Sequence, residues 1–224
     1  MLRVEFHCHT HYSKDSLLHP QRLLEACRAK GIDRVFVTDH NNNLGGLHAQ
    51  RLDARLAIPG EEVLTTAGEL LAFFVTEAVP RGLSPKEAIT RLRDQGAFIS
   101  VSHPYDEMRS GHWAEKDLLE ILPLVDAIET FNARCMQASY NRQAQAFAQK
   151  HSILGTAGSD AHAAFELGRA TLLLPDFHDA ESLRLALPQA TPQTRLSSAW
   201  VHFTSRYAVW RKAMGWKAEE VSGD

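Results

Sequence analysis

The chain of 224 residues has a formal net charge of −3, and 44% of its residues are hydrophobic and 23% charged. This size and composition predict one globular domain with a sizeable core and argue against a second full domain. The charge argues against broad attraction to nucleic acid or anionic membranes, so we expect no extended nucleic-acid surface and no membrane partner. Three scattered cysteines, and a start at Met1 without a signal-peptide pattern, predict a cytoplasmic protein with reduced thiols.

Apolar strand-like runs alternate with segments of helical period along the chain, which is typical of a parallel α/β fold. The predicted strands begin near Val4 and then cover 34–38, two short segments within 58–75, 97–102, 127–131, 153–157 and 170–174. The predicted helices cover 20–30, 44–56, 84–95, 116–122, 136–150 and 180–187. Residues 1–190 are therefore expected to form the compact body of the protein.

Residues 191–224 form a tail of different composition, rich in large apolar side chains. These side chains are Trp200, Phe203, Tyr207, Val209, Trp210 and Trp216. Their spacing suits an amphipathic helix that packs back on the body or on another subunit. We therefore expect the tail to be helical, and to be the surface through which the chain could form a homo-oligomer.

Histidines and carboxylates follow the predicted strands where each strand ends. His7 and His9 lie on one face of an extended segment, because strand side chains repeat every second residue. Similar positions later in the chain hold His40, Glu62, Glu69, His103, Asp160 and His162. The carboxyl ends of parallel strands meet at one rim of a barrel, so we expect these side chains to converge there. Imidazoles with carboxylates suit zinc, manganese or iron.

Four ordered motifs give the chain a resemblance to a known family. They are His7-Cys8-His9-Thr10 with Ser13 and Asp15, Thr38-Asp39-His40-Asn41, Ser102-His103-Pro104, and Gly158-Ser159-Asp160-Ala161-His162. The chain resembles the PHP superfamily, the polymerase and histidinol phosphatase family of metal-dependent phosphoesterases. The resemblance implies a single-domain distorted (β/α)7 barrel with a cluster of two or three divalent metal ions at its rim.

The resemblance also implies which residues bind each metal ion. His7, His9, Glu62 and Asp160 would bind the first ion, and Glu62 would bridge to a second ion that His103 also holds. Asp15, His40 and His162 would bind a third ion. Family members often have a histidine shortly after the bridging glutamate, whereas this chain has Glu69. We expect Glu69 to act as a ligand that shifts the preference somewhat from zinc toward manganese or iron, because its oxygen is a harder donor.

A metal-dependent mechanism follows from the charge of phosphate esters. We expect a hydroxide bridging two metal ions to attack phosphorus in line, with no side-chain nucleophile. The predicted catalytic residues are Glu62, Asp160, His162 and Arg134, the last as a bidentate phosphate contact.

Several functional alternatives stay open at the level of the sequence. The favoured substrate is a small phosphorylated molecule or nucleotide. A phosphodiesterase or exonuclease acting on nucleotides or short oligonucleotides, and a metal-stabilised module without catalysis, are the alternatives. Asp39 is expected to accept the spare ring N–H of a ligating histidine, and the loop from Tyr105 to Trp113 to be a lid or a stacking surface.

Overall fold

The computed structural model describes residues 1–218 of the chain. The strands are β1 (Leu2–Glu5), β2 (Arg34–Val37), β3 (Ala57–Leu64), β4 (Glu69–Phe73), β5 (Phe98–Val101), β6 (Ala127–Asn132), β7 (Leu154–Gly158), β8 (Ala170–Leu174) and β9 (Thr191–Thr194). The helices are α1 (Pro20–Ala29), α2 (Leu44–Leu52), α3 (Pro85–Asp94), α4 (Glu115–Ile121), α5 (Ala138–His151), α6 (Ala180–Ala186) and α7 (Val201–Ala213). Within the described residues, no helix has both the length and the apolar character needed to cross a membrane.

One nine-stranded sheet wraps into a nearly closed barrel, in the order β7-β6-β5-β4-β3-β2-β1-β8-β9. Strands β1, β2 and β3 are parallel, as are β5, β6 and β7, whereas β4 runs antiparallel to both of its neighbours. Past the strand ends, Cys8 and Ala161 form a parallel bridge, and the His9 backbone N–H donates to the Ala161 carbonyl at 2.8 Å. The exit of β1 therefore closes against the exit of β7.

The direction of β4 decides which residues share the rim. Six strands of the barrel end at one rim, so residues that follow them gather there. Because β4 is antiparallel, the rim holds its first residue, Glu69, instead of its last. Strands β8 and β9 continue the sheet beyond β1 in antiparallel pairs.

A row of buried phenylalanines forms part of the core next to the first metal-ligand motif. The ring centroids of Phe6 and Phe36 are 5.0 Å apart, those of Phe36 and Phe73 4.4 Å, and those of Phe73 and Phe98 5.8 Å. All four side chains are fully buried. Truncating one of them to alanine would cost about 3–5 kcal/mol, because the surrounding backbone is held by the sheet and collapses only partly. Phe6 thus anchors the segment that continues into His7.

The barrel prediction is confirmed, and the structure corrects one helix boundary and adds one strand. Helix α2 ends at Leu52 and not near residue 56, because the Asp53 carboxylate accepts the backbone N–H groups of Arg55 and Leu56 and turns the chain. Strand β9 was not expected. Its four residues are all exposed, so the sequence has no apolar alternation there.

The predicted helix in the tail is present as α7, and it packs on the barrel through small side chains and not through its large aromatic ones. Val201 and Ala208 are its buried residues, whereas most of the aromatic side chains face outward. The Lys212 ammonium donates to the backbone carbonyl of His11 at 2.6 Å and to that of Ser13, which holds the end of the helix against the first loop. The last six residues of the predicted tail, 219–224, lie outside the described part of the chain.

Candidate metal centre

The structure brings all nine predicted metal-ligating side chains to the rim. His7 Nε2 and His9 Nε2 are 3.1 Å apart, and His9 Nε2 is 3.1 Å from an Asp160 carboxylate oxygen, Oδ1. Glu62 Oε2 lies 3.4 Å from His7 Nε2 and 3.5 Å from His9 Nε2. Four potential ligands from three distant stretches of the sequence therefore point at one small volume.

Glu62 directs its two carboxylate oxygens to different histidines. Oε2 faces His7 and His9 and lies 3.0 Å from His40 Nδ1. Oε1 lies 3.0 Å from His103 Nε2, which is in turn 3.5 Å from Glu69 Oε2. A carboxylate placed in this way can bridge two cations.

A third group lies on the outer side of the cluster. Asp15 Oδ2 is 3.5 Å from His40 Nε2 and 3.3 Å from His162 Nε2. Donor atoms of His9, His40 and His162 also lie within 4.8 Å of one another. The ring centroids of His9 and His162 are 4.2 Å apart, so the imidazoles are as close as van der Waals contact allows.

The donor set fits divalent metal ions. Within the described residues, Glu62 Oε2 and Asp160 Oδ1 are buried oxygens that accept no hydrogen bond of ordinary geometry, although His40 Nδ1 and His9 Nε2 lie only 3.0 and 3.1 Å from them. Such orphaned buried oxygens are costly unless a cation satisfies them. The Glu129 carboxylate accepts the His7 Nδ1–H at 2.9 Å, which fixes the ring so that Nε2 faces His9. Convergent imidazole nitrogens and carboxylate oxygens are the arrangement that zinc, manganese and iron accept.

Electrostatics keeps the central carboxylates ionised. Burial by itself would raise the pKa of Glu62, but the charges of His7 and His40 and the hydrogen bond from His103 hold that pKa well below its usual range. Burial likewise opposes ionisation of Asp160, and the charges of Arg109 and His7 hold its pKa well below the usual value. Both groups are therefore carboxylates at neutral pH, as metal ligands must be.

Two buried glutamates that the sequence analysis did not select support the histidines. Glu129, in β6, accepts His7 Nδ1–H and also the backbone N–H of His103 at 2.9 Å. Glu5, in β1, accepts the backbone N–H of Ser159 at 2.8 Å, and burial raises its pKa to about 7. Each is a carboxyl residue that directly follows an apolar strand residue, Val4 or Ile128, which is the signal that could have identified it.

Asp39 supports the site in a different way from the one expected. Its carboxylate accepts the Thr10 backbone N–H at 2.7 Å, the Thr10 hydroxyl at 2.6 Å and the Ser13 hydroxyl at 2.6 Å, and no imidazole N–H. The Ser13 Oγ lies 3.2 Å from His9 Nδ1 and accepts the His40 backbone N–H at 3.0 Å. Asp39 therefore orients His9 through Ser13.

The Arg134 guanidinium is bound to other groups of the protein and is not free to contact a phosphate. Its side chain is only 3% exposed, and one terminal nitrogen, NH2, donates to the Val201 carbonyl and to the Ser205 hydroxyl, both at 2.8 Å. Its NH1 faces Glu166 at 3.5 Å. Arg134 thus fastens α7 to the rim, and its outermost atoms only edge the cavity.

Arg109 is the arginine that reaches into the site. Its NH1 lies 2.6 Å from Asp160 Oδ2, and its Nε donates to the Asp106 carboxylate at 3.1 Å. The side chain is 21% exposed and lines a cavity of about 560 Å³ above the metal-ligand cluster. Sequence reasoning missed it because it lies in an irregular loop, six residues after His103.

That loop, from Tyr105 to Trp113, covers one side of the cavity without offering an aromatic stacking surface. Trp113 is buried, and its indole N–H donates to the Glu69 carbonyl at 3.0 Å. A Cβ on Gly111 would lie 2.0 Å from a Glu69 carboxylate oxygen, so only glycine lets the loop approach this closely. The loop therefore holds Glu69 in place, and Met108, Arg109 and Ser110 line the cavity.

Fold and site together define an α/β barrel whose histidine and carboxylate cluster suits divalent metal ions. Residues 5–87 match the model of the PHP domain, and residues 138–190 match the model of the PHP-associated region. Over 173 residues the chain is 38% identical to the uncharacterized protein MJ0417 of Methanocaldococcus jannaschii, covering 75% of this chain and 69% of that protein. The chain belongs to the PHP family.

Solved structures agree on the fold. A two-domain Bacteroides vulgatus protein containing a predicted PHP-like metal-dependent phosphoesterase superposes with a TM-score of 0.69 at 19% identity, covering 100% of this chain and 72% of that one. The lesion-specific endonuclease PfuEndoQ of Pyrococcus furiosus superposes with a TM-score of 0.56 at 16% identity, covering 85% and 57%. At these identities the comparison establishes the barrel and leaves the substrate open.

Proposed function

We propose that the protein is a metal-dependent phosphoesterase that hydrolyses phosphomonoesters of a small molecule or nucleotide. The observation that carries this proposal is Glu62, a buried and ionised carboxylate whose two oxygens face two different groups of histidines. Such a carboxylate costs stability in a protein without cations, and it is the expected centre of a cluster that binds two of them.

The proposed ligand groups follow the distances at the rim. The first ion would be held by His7, His9, Glu62 and Asp160, the second by Glu62, Glu69 and His103, and the third by Asp15, His40 and His162. Two or three bound divalent cations, manganese, zinc or iron, would neutralise phosphate oxygens and lower the pKa of water toward 7. The carboxylate in place of a histidine at Glu69 favours the harder ions of this group.

Residues of the chain would position the phosphate beside the cluster. Arg109 has its NH1 and Nε fixed by Asp160 and Asp106, and its NH2 has no hydrogen-bond partner among residues 1–218, beside the cavity that the side chain lines. A guanidinium fixed in this way is preorganised to bind a phosphate oxygen. Lys14 also lines the cavity and would add positive charge at its mouth.

The nucleophile would come from solvent, because the nearest thiol is unsuitable. Cys8 is fully buried, and its Sγ contacts the backbone carbonyl of Phe36 at 3.3 Å on the side away from the histidines. Burial and the nearby Glu5 carboxylate raise the pKa of the Cys8 thiol well above its usual value, so it stays protonated. A covalent cysteine intermediate is thereby disfavoured.

A second candidate function is hydrolysis of a phosphodiester in a nucleotide or short oligonucleotide. The similarity of the fold to PfuEndoQ favours keeping this candidate, although it does not establish it. The same cluster and the same arginine would serve both reactions. The two differ in whether the cavity must accept a second ester group on the phosphate.

The test is metal analysis of the purified protein followed by assays with manganese, zinc and iron. The substrates are a generic phosphomonoester, nucleotides, histidinol phosphate and short oligonucleotides. We expect hydrolysis that a chelator abolishes and manganese restores, and that His7→Ala eliminates. His178→Ala, at an exposed position after β8, is the matched control and should keep full activity. Stoichiometric metal without turnover of any ester would instead support a non-catalytic, metal-stabilised module.

A further inference from the structure

Helix α7 carries an exposed row of large apolar side chains, which we name the aromatic ridge. It consists of Trp200, Phe203, Tyr207, Trp210 and Met214, exposed by 73%, 60%, 53%, 55% and 70%. The alternating spacing of three and four residues places all five on one face of the helix. Four rings of about 200 Å² each, exposed by half or more, present roughly 400–500 Å² of apolar surface, which is the size of a functional patch.

The ridge cannot turn inward, because the opposite face of α7 is fixed to the barrel. Val201 and Ala208 are buried there, and the Ser205 hydroxyl accepts from the Arg134 guanidinium at 2.8 Å. Lys212 adds hydrogen bonds to two carbonyls of the first loop. The exposed orientation of the ridge is therefore specified by contacts on the other side of the helix.

Positive charge borders the ridge. Between Ser182 and Ala218 the chain has six basic residues and no acidic residue, in a protein whose formal net charge is −3. At 100° per residue, Arg206 and Arg211 project on opposite flanks of the ridge. Neither forms an ion pair within residues 1–218. The partner of this face should therefore be both apolar and anionic.

Two other partners fit the ridge less well. A second copy of α7 would bring Arg206 and Arg211 against the same arginines, and rows of aromatic rings are poor substitutes for the Leu, Ile and Val knobs of paired helices. A nucleic-acid strand needs ring faces open to bases. Here the rings pack in pairs, with centroids 5.2 Å apart for Trp200 and Phe203 and 5.8 Å for Tyr207 and Trp210.

We propose that α7 is an interfacial helix that docks the protein on an anionic lipid bilayer. The aromatic ridge would enter the boundary between headgroups and acyl chains, where Trp, Tyr and Phe are favoured, and the flanking arginines would contact lipid phosphates. This inference is independent of the proposed function. It departs from the expectation of no membrane partner, because net charge averages over a surface on which the positive charge of α7 is local.

The experiment is cosedimentation of the full-length protein with vesicles at low salt. One set of vesicles is pure phosphatidylcholine, and the other contains 40% phosphatidylglycerol. We expect binding to the anionic vesicles that weakens with added salt, and a blue shift of tryptophan fluorescence on binding. The double variants Phe203→Ser/Trp210→Ser and Arg206→Glu/Arg211→Glu should each lower the partition coefficient at least tenfold. Leu185→Ser, at a 72% exposed position on α6, is the control and should leave it unchanged.

Thermal unfolding and far-ultraviolet circular dichroism of each variant establish that it is folded. Three outcomes would overturn the proposal. The first is no binding to anionic vesicles, and the second is binding that both double variants retain. The third is that the native protein does not bind vesicles but forms a dimer or binds a single-stranded oligonucleotide, and that the Phe203→Ser/Trp210→Ser variant loses this dimer or this binding. That third result would assign the ridge to self-association or to nucleic acid.

Discussion

Replacing Glu62 by glutamine tests the central feature of the proposed metal centre. The substitution keeps the shape of the side chain but removes its charge and turns one oxygen into an NH2 donor. In the structure, Oε2 lies 3.0 Å from His40 Nδ1 and Oε1 lies 3.0 Å from His103 Nε2. Whichever way the amide turns, an NH2 group would replace one of the two oxygens that face the proposed metal positions.

The expected loss of metal affinity is large because the side chain serves two ions. Removing a group that only supports a metal ligand typically lowers affinity 10–100-fold. Loss of a direct, bridging ligand should therefore cost about 100-fold or more, which corresponds to about 2.7 kcal/mol or more per ion. Hydrolysis should fall in parallel, provided that both ions are required.

Glu61 offers a matched control one residue away. It is also buried, but its carboxylate accepts the backbone N–H of Val79 at 2.8 Å, and burial raises its pKa to about 7. It makes no contact with the histidine cluster. Glu61→Gln should therefore bind metal with native affinity, because the amide contacts none of the proposed ligands and its oxygen can still accept the Val79 N–H.

Isothermal titration of Mn²⁺ into metal-free protein measures both variants directly. Thermal unfolding without metal confirms that each is folded. Native affinity in Glu62→Gln would refute the bridging role. Equal losses in the Glu61 and Glu62 variants would show that the glutamines act through the fold and not through the cluster.

Four further substitutions probe the surroundings of the site and of the barrel. Glu129→Gln, which weakens the acceptor for His7 Nδ1–H, should lower Mn²⁺ affinity about 10–100-fold in the same titration. Arg109→Ala should raise KM for a phosphomonoester about tenfold or more and also lower the melting temperature, because the buried carboxylates of Asp106 and Asp160 lose their partner. Arg134→Ala should lower stability by about 3 kcal/mol, because its buried partners are left unpaired, and should leave KM near native. Asp126→Asn should cost about 2 kcal/mol in urea unfolding at pH 7, and this difference should shrink as the pH falls below about 4.

The contacts of Asp126 explain why the stability cost of Asp126→Asn should shrink as the pH falls. Burial opposes ionisation, but hydrogen bonds from Arg184 and Arg93, both at 2.7 Å, hold the pKa of Asp126 below its usual value. A depressed pKa stabilises the fold above the unfolded-state pKa, and that stability is lost as the pH falls through the folded-state value. Exposed Asp94→Asn is the control. A cost of Asp126→Asn that is independent of pH would contradict this reasoning.

The Glu129→Gln and Arg109→Ala predictions also have controls. Glu115→Gln, in the exposed first turn of α4, should leave Mn²⁺ affinity unchanged. If Arg109→Ala destabilised the fold as strongly as Arg134→Ala while KM stayed native, Arg109 would be a structural residue, and phosphate binding would have to be assigned elsewhere.

The sequence by itself indicated a parallel α/β fold with histidines and carboxylates at its strand ends, and its resemblance to the PHP family implied the barrel and the ligand set. Period-two and period-3.6 apolar patterns depend only on local geometry, so strands and helices could be read with errors of a few residues. Ligands such as His7, His40 and His103 follow strands directly, and the carboxyl ends of parallel strands must meet at one rim. That rule required no knowledge of the contacts across the barrel.

Tertiary structure alone decided what supports the ligands and what faces the cavity. Glu129 and Asp126 are carboxylates within or beside apolar strands, and their roles depend on partners more than 25 residues away in sequence. Arg134, the arginine expected to contact phosphate, is held by α7, whereas Arg109, for which the sequence indicated no role, is directed into the site by an irregular loop. A pattern of apolar residues shows that α7 is a helix. Which of its faces meets the barrel depends on the hydrogen bonds that bind it there, and sequence periodicity carries no information about those.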